Sequence, residues 1–129
     1  MGTQSYLFDD SYVADSALAA YRAVVYAGTS GHVKYGAAAD ANGIAGITQH
    51  SSSASGDTIV VRKAGRSKVE VASASVTIGV DLRIFDTVGR ANYQADAWAS
   101  GDGIIGVAEE NSSASGDIIT AWLEIHTAH

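Results

Sequence analysis

Six residues of this chain are spoken twice. Ser52-Ser53-Ala54-Ser55-Gly56-Asp57 returns unchanged as Ser112-Ser113-Ala114-Ser115-Gly116-Asp117. The copies are 60 positions apart (117 minus 57). The likeness extends upstream: Gly43-Ile44-Ala45-Gly46-Ile47 precedes the first copy and Gly103-Ile104-Ile105-Gly106-Val107 the second. Across 43–59 and 103–119, ten of seventeen positions are identical. A repeat of this length in a small chain points to a doubled scaffold, because each copy supplies a face that the other can bury. Enzyme centres need asymmetry, and a duplicated frame works against it.

The whole chain has 129 residues, the size of one domain, and 47% of them are hydrophobic. That is enough apolar surface for a buried core. There is no proline and there are 14 glycines, so turns must use Gly, Asn, Asp and Ser. With no cysteine, a disulfide framework and a thiolate metal site are both ruled out. The net charge of −6 argues against nucleic acid and against an anionic membrane as partners. No run has the length of a transmembrane helix. Asp9 and Asp10 stand where the apolar stretch of a secretion signal would lie, so the expectation is synthesis in the cytoplasm.

Residues 1–16 differ from the rest. They carry Tyr6, Leu7, Phe8 and Tyr12 without clean alternation, and they read either as a frayed tail or as an extended N-terminal arm that buries its rings against another chain. On that reading, deleting the arm leaves the remaining domain, 17–129, folded. Ser16 could cap a short helical turn through Ala17-Leu18-Ala19-Ala20. From Tyr21 onward the pattern is β. Val24-Val25-Tyr26 and Val33/Tyr35 flank a turn at Gly28–Gly31, and Asp40-Ala41-Asn42-Gly43 is a further turn. Ile44–Gln49 and Thr58–Arg62 are short strands, and Lys68–Val71 is another, continuing to Val76 and Ile78. Leu82 and Ile84 share a face, Asp86–Gly89 turns, and Arg90–Tyr93 matches His32–Tyr35. Gly101-Asp102-Gly103 turns into the strand Ile104–Glu109, and Ile118–Ile125 ends the series. Repeat units of about 21–62 and 81–125 result. The expected fold is all-β: a compact barrel, tulip-like or sandwich domain built by internal duplication.

The residues offer little chemistry. His126 and His129 are three apart beyond a strand, a poor metal pair, and His32 and His50 become Arg90 and Glu110 in the second copy. Asp57 and Asp117 fit a paired-carboxylate role less well than a turn role, in which each carboxylate accepts backbone N–H groups. The serines lack a nucleophile elbow, and neither Gly-x-x-Gly opens a helix. The expectation is a protein without enzymatic activity, cofactor or metal. Arg62, Lys63, Arg66 and Lys68 hold half of the eight Lys and Arg residues. They read either as a solvated hairpin turn around Ala64-Gly65 or as a patch that docks on an acidic protein surface.

Several of these segments together resemble the capsid decoration, or cement, proteins of tailed bacteriophages. They are Val25–Gly28 with Val33, Asn42–Ile47, Ser55–Arg62, Ala64–Val69, Ile104–Glu109 and Ser113–Ile119, and the resemblance covers about 20–125. It implies a barrel-like domain on the outside of an expanded icosahedral shell, bound to the major capsid protein as a homo-oligomer, a trimer above all. The arm, 1–16, would then lie over the capsid. The family has no catalytic residues to carry over. A second reading is a carbohydrate- or surface-binding module of a phage fibre or tail, with Trp98 and Trp122 as stacking faces.

Overall fold

A computed structural model describes residues 7–37, 43–93 and 103–127. The expected turns at Asp40–Asn42 and Gly101-Asp102, together with Trp98 and His129, lie outside the described residues. The elements are β1 (Phe8–Ala14), β2 (Ala23–Tyr26), β3 (His32–Tyr35), β4 (Ile44–Thr48), β5 (Thr58–Glu70), β6 (Asp81–Ile84), β7 (Ala91–Tyr93), β8 (Gly103–Ala108) and β9 (Ile118–Thr127). Alternation governs their burial: Leu82 and Ile84 of β6 are buried while Asp81 and Arg83 are half-buried, as period-two patterning demands.

Pairing runs β1-β3-β2-β4-β5-β9-β8-β6-β7, and β1 also pairs β5. The first five strands therefore close on themselves. The first ring, barrel 1, runs β1-β3-β2-β4 and returns through the N-terminal half of β5. The C-terminal half of β5 pairs β9, then β8, β6 and β7 follow. A single parallel bridge, Val71↔Ala91, returns that path to the end of β5 and completes barrel 2. One strand of thirteen residues thus serves two small barrels.

The two rings repeat each other residue by residue. Val24 pairs Gly46 with a register shift after it, and Leu82 pairs Gly106 with the same shift. Val24↔Tyr35 is answered by Leu82↔Tyr93. Ala14 and Val33 form the parallel contact that Val71 and Ala91 form in the second ring. The interior follows. The core of barrel 1 is Ala14, Leu18, Val24, Val33, Ala45, Ile59 and Val61. Its counterparts, in the same order, are Val71, Val76, Leu82, Ala91, Ile105, Ile119 and Ala121, all buried in barrel 2. Where barrel 1 has Val24 and Ala45, barrel 2 has Leu82 and Ile105; where it has Val33 and Val61, barrel 2 has alanine. Volume lost at one pair of positions is restored at another, which is how a close-packed interior keeps its density.

The duplication is longer than the repeated phrase suggests. Val13↔Thr58 and Tyr12↔Ile59 in the first ring match Glu70↔Ile118 and Val69↔Ile119 in the second. So β1 is the counterpart of the second half of β5. Residues 8–14, read from composition as part of a detached arm, are a strand of the domain, because its edges are needed to close barrel 1. Three more expectations change. The Ala17–Ala20 turn is not helical: Leu18 is buried and exchanges backbone hydrogen bonds with Ser52, N to O at 3.2 Å and O to N at 2.8 Å. Burial and that bridge outweigh alanine's helix propensity. Ala64-Gly65 is no hairpin turn, since β5 runs straight through it; Gly65 takes φ 95° where the strand passes from one barrel to the other. Val76 is buried outside any strand, and Ile78 is exposed in a turn.

The repeated phrase builds identical loops. Asp57 Oδ2 accepts from Ser53 N (3.0 Å), Ser53 Oγ (3.2 Å) and Ala54 N (3.1 Å). Asp117 Oδ2 does the same with Ser113 N (2.7 Å), Ser113 Oγ (3.0 Å) and Ala114 N (3.0 Å). Ser52 Oγ accepts from Leu18 N and Ser112 Oγ from Val76 N, both at 3.0 Å. The unequal pair His50 and Glu110 play one part between them. Each side chain accepts the strand N–H, from Val60 at 3.1 Å and from Thr120 at 2.7 Å. The backbone bonds from Ser53 and Ser113 hold the two aspartate carboxyls below their ordinary range. A carboxyl whose folded value is depressed stabilises the fold above its unfolded value, near pH 4, and loses that contribution as pH falls through the folded value. Thermal melts between about pH 5 and 2.5 are therefore expected to show a steeper acid loss for the wild type than for the Asp57→Asn/Asp117→Asn double variant.

Candidate functional site

Strand β5 carries the basic residues singled out in the sequence, and its alternation divides them. Arg62, Arg66 and Lys68 line a cleft of about 330 Å³ with Tyr21, Gln49, Ser67 and Thr120. Lys63 takes the other face. Because β1 lies antiparallel on β5, with Asp9 opposite Arg62 and Phe8 opposite Ala64, the aromatic segment and the basic segment meet at one place.

In the cleft the charge is largely spent. Arg62 is bidentate to Asp9, Nε to Oδ1 at 2.7 Å and Nη2 to Oδ2 at 3.0 Å, and its Nη1 donates to Arg66 O at 3.0 Å. The hydrogen bond from Arg62 holds the Asp9 carboxyl below its usual range. Arg66 Nε meets Glu109 Oε1 at 2.7 Å. Thr120, and more weakly Lys68, lower Glu110. Bidentate guanidinium–carboxylate pairs fix geometry more than they attract a distant partner. They pin β1 to β5 and β8 to β5.

Lys63 makes a different site. Its Nζ donates to Tyr12 Oη at 2.6 Å and to Tyr26 Oη at 3.0 Å. It lies 5.2 Å from the Tyr12 ring centroid, 5.5 Å from that of Tyr26 and 5.9 Å from that of Phe8. The two tyrosines touch edge to face at 5.9 Å. The hydrogen bonds that Lys63 donates to Tyr12 and Tyr26 favour the charged ammonium and hold it above its ordinary value. The same ammonium, through its hydrogen bond, lowers the Tyr26 phenol, while burial raises that of Tyr12. Three rings around one cation form a stiff patch, apolar at its surface and charged within. Phe8 is 57% exposed and Tyr26 47%, so the patch faces outward, and Leu7 is exposed beside Phe8 in sequence. Tyr6 lies outside the described residues.

Sequence reasoning missed Tyr26 and the acidic partners Asp9 and Glu109. The signal for Tyr26 was present: it sits two residues past Val24 on the same strand face, at the position that Ile84 holds in the second copy. Trp122, the described one of the two candidate stacking tryptophans, is 37% exposed on β9 opposite Arg66. Among the described residues no group of three or more His, Cys, Asp or Glu side chains is placed to hold a metal ion.

No protein-family model and no curated protein matches the chain. Its fold is similar to that of the head fiber gp8.5 N base of bacteriophage phi29. The TM-score is 0.65 at 20% identity, over 92% of this chain and 95% of that one. The likeness is one of fold, and coverage this complete takes in both barrels. The gp8.5 base has nearly the same extent as this tandem of rings on a shared strand.

Proposed function

We propose that this chain is a non-enzymatic structural protein of a bacteriophage virion, seated on the outside of the head, where it binds the major capsid protein and holds neighbouring capsomers together. The observation that carries this reading is the near-complete fold overlap with the base of a phage head fiber. The surface chemistry suits such a role. The outward surfaces are an aromatic patch and a cleft of paired charges, and both favour adhesion over catalysis. A protein that binds the assembled shell and not its free subunits stabilises the shell by mass action. Repetition by symmetry, as a trimer at threefold positions, multiplies modest contacts into avidity. Mixing the protein with expanded empty phage shells and pelleting them is expected to bring it down with the shells. A folded protein that stays in the supernatant overturns the reading.

The second reading is a base or surface module of a fibre or tail. The likeness to a fiber base favours it as directly as it favours a cement role. In the same experiment, a protein that pellets with fibres or tails and leaves the shells bare supports this alternative.

A further inference from the structure

One residue of the cleft along β5 breaks a rule that its own twin obeys. Tyr21 stands at φ 63°, in the left-handed region, and among the described residues no other non-glycine does so. The second copy shows what the position asks for. Tyr21 N donates to Thr48 O at 2.8 Å and Thr48 N to Arg22 O at 2.9 Å; Gly79 N donates to Ala108 O at 2.8 Å and Ala108 N to Val80 O at 2.9 Å. The shared pair of bonds makes Gly79 the counterpart of Tyr21, and Gly79 has φ 91°. Glycine reaches that torsion freely, whereas a residue with a Cβ is strained in it. Space does not demand glycine there, since an added Cβ would meet nothing within 4 Å; the torsion does. Glu70 N also donates to Tyr21 O at 2.9 Å, so the strained backbone is held from both sides. Strain that is fixed by its surroundings in this way gathers at ligand sites.

The rest of the lining fits a hydroxylated ring. At about 330 Å³ the cleft has room for a small ligand. Ser67 Oγ accepts from Gln49 Nε2 at 2.9 Å, which fixes the amide at the cleft wall. Arg62 and Arg66 are already locked to Asp9 and Glu109, so they bring planar hydrogen-bonding groups and little net charge. Lys68 differs from both. It is exposed and makes no ion pair within 4 Å among the described residues. Glu110 feels its charge, but the Glu110 carboxylate accepts from Thr120 N at 2.7 Å. Across the ladder Thr120 stands opposite Lys68 and Trp122 opposite Arg66, and Trp122 is 37% exposed. Such a site is poorly suited to a multiply charged anion such as phosphate, because two of its three cations would have to leave their carboxylates. A sugar ring with one carboxylate asks for what is there: an aromatic face, fixed amide and hydroxyl groups, and one unpaired ammonium.

We propose that this cleft binds an acidic glycan through a hexuronate residue, its ring against Tyr21, its carboxylate on Lys68 and its hydroxyls on Gln49, Thr120 and the Arg66–Glu109 pair. The duplication marks the site as an addition to the frame. Gln49 N donates to Val60 O at 3.0 Å as Glu109 N donates to Thr120 O at 2.9 Å, so Glu109 holds the place of Gln49. With Gly79 in the place of Tyr21, the second ring has no aromatic wall to match. The inference rests on neither reading of the virion role, since glycan binding is measured on the isolated chain, so shell binding and glycan binding can fail separately.

Amide NMR spectra of the full chain are recorded during titration with oligosaccharides of galacturonate, glucuronate and mannuronate, and in parallel with maltotriose and with inorganic phosphate. At least one acidic sugar is expected to give saturable shifts at Tyr21, Gln49, Ser67 and Thr120, with weaker binding of maltotriose and no response to phosphate at those amides. Tyr21→Gly installs the residue of the second copy. It is expected to keep or raise the melting temperature while affinity for the acidic sugar falls about tenfold or more. Lys68→Gln, at an exposed position, is expected to melt as the wild type does and to lose the preference for acidic over neutral sugar. The proposal is overturned if no acidic sugar gives saturable shifts, if phosphate or maltotriose matches the best acidic sugar, or if both variants bind as the wild type does.

Discussion

A chain that lacks residues 1–14 is expected to lose barrel 1 as a folded unit. The cut removes β1, whose pairings with β3 and β5 close that ring. It also removes Ala14 itself, fully buried, and Asp9, the bidentate partner of Arg62. The exposed edges of β3 and β5 would have nothing to pair with, and Ile59 and Val61 would face water through the gap. Domains of this size have roughly 5–15 kcal/mol of stability in total, so a lost strand is a large share of it. Hydrogen exchange read at the amides of Ile59, Val60 and Val61 checks this: protection there should collapse, while the β5–β9 pairing from Lys68 to Glu70 keeps more of its own. A truncated protein with wild-type protection across β5 would mean that residues 8–14 are a dispensable arm after all. Ala14→Asp, which buries an unpaired carboxylate in the same ring, should destabilise in the same direction without shortening the chain.

The second large effect is expected at two matched glycines. A Cβ on Gly106 would stand 2.0 Å from Trp122 O, and one on Gly46 would stand 2.2 Å from Arg62 O. Trp122 and Arg62 are themselves counterparts on β9 and β5, so the same close approach of β8 to β9 and of β4 to β5 was built twice. The obstacle is main chain, which cannot swing aside as a side-chain tip does. Gly106→Ala and Gly46→Ala should each cost about 3 kcal/mol or more, by denaturant unfolding, through strain and broken ladder bonds. Gly28→Ala, where an added Cβ meets nothing within 4 Å, is the control and should leave stability nearly unchanged. Equal, small effects at all three sites would contradict the matched registers.

Much of this architecture was legible in the residues. The twin Ser-Ser-Ala-Ser-Gly-Asp loops announced a duplication, and the shared face of Leu82 and Ile84 is the buried face of β6. The full extent of the repeat was not legible, for a physical reason. Barrels conserve interior volume and not identity, so β1 and its counterpart in β5 share no phrase: Tyr12 answers to Val69 and Ala14 to Val71. Composition then made residues 8–14 look like a tail, because exposed Leu7 and Phe8 advertise a surface while the inward Ala14 says nothing. Ala64-Gly65 misled in the opposite way. A glycine between charged residues signals a turn, but here its positive φ lets one strand change barrels without ending. The candidate contact residues were individually visible, yet their grouping depended on strand pairing. The register of β1 on β5 brings Phe8 and Tyr12 to Lys63 and gives Arg62 its carboxylate, and closure of the ring through β2 adds Tyr26.

The function proposed above is that the duplicated frame joins surfaces on a phage head. A reconstruction of the particle of the phage that encodes this chain tests that most directly. Two-lobed density on the outer face of the shell, fitted by the tandem barrels and touching more than one capsomer, is the expected result. Density confined to the interior of the head, or a complete particle in which this chain is absent, would contradict it.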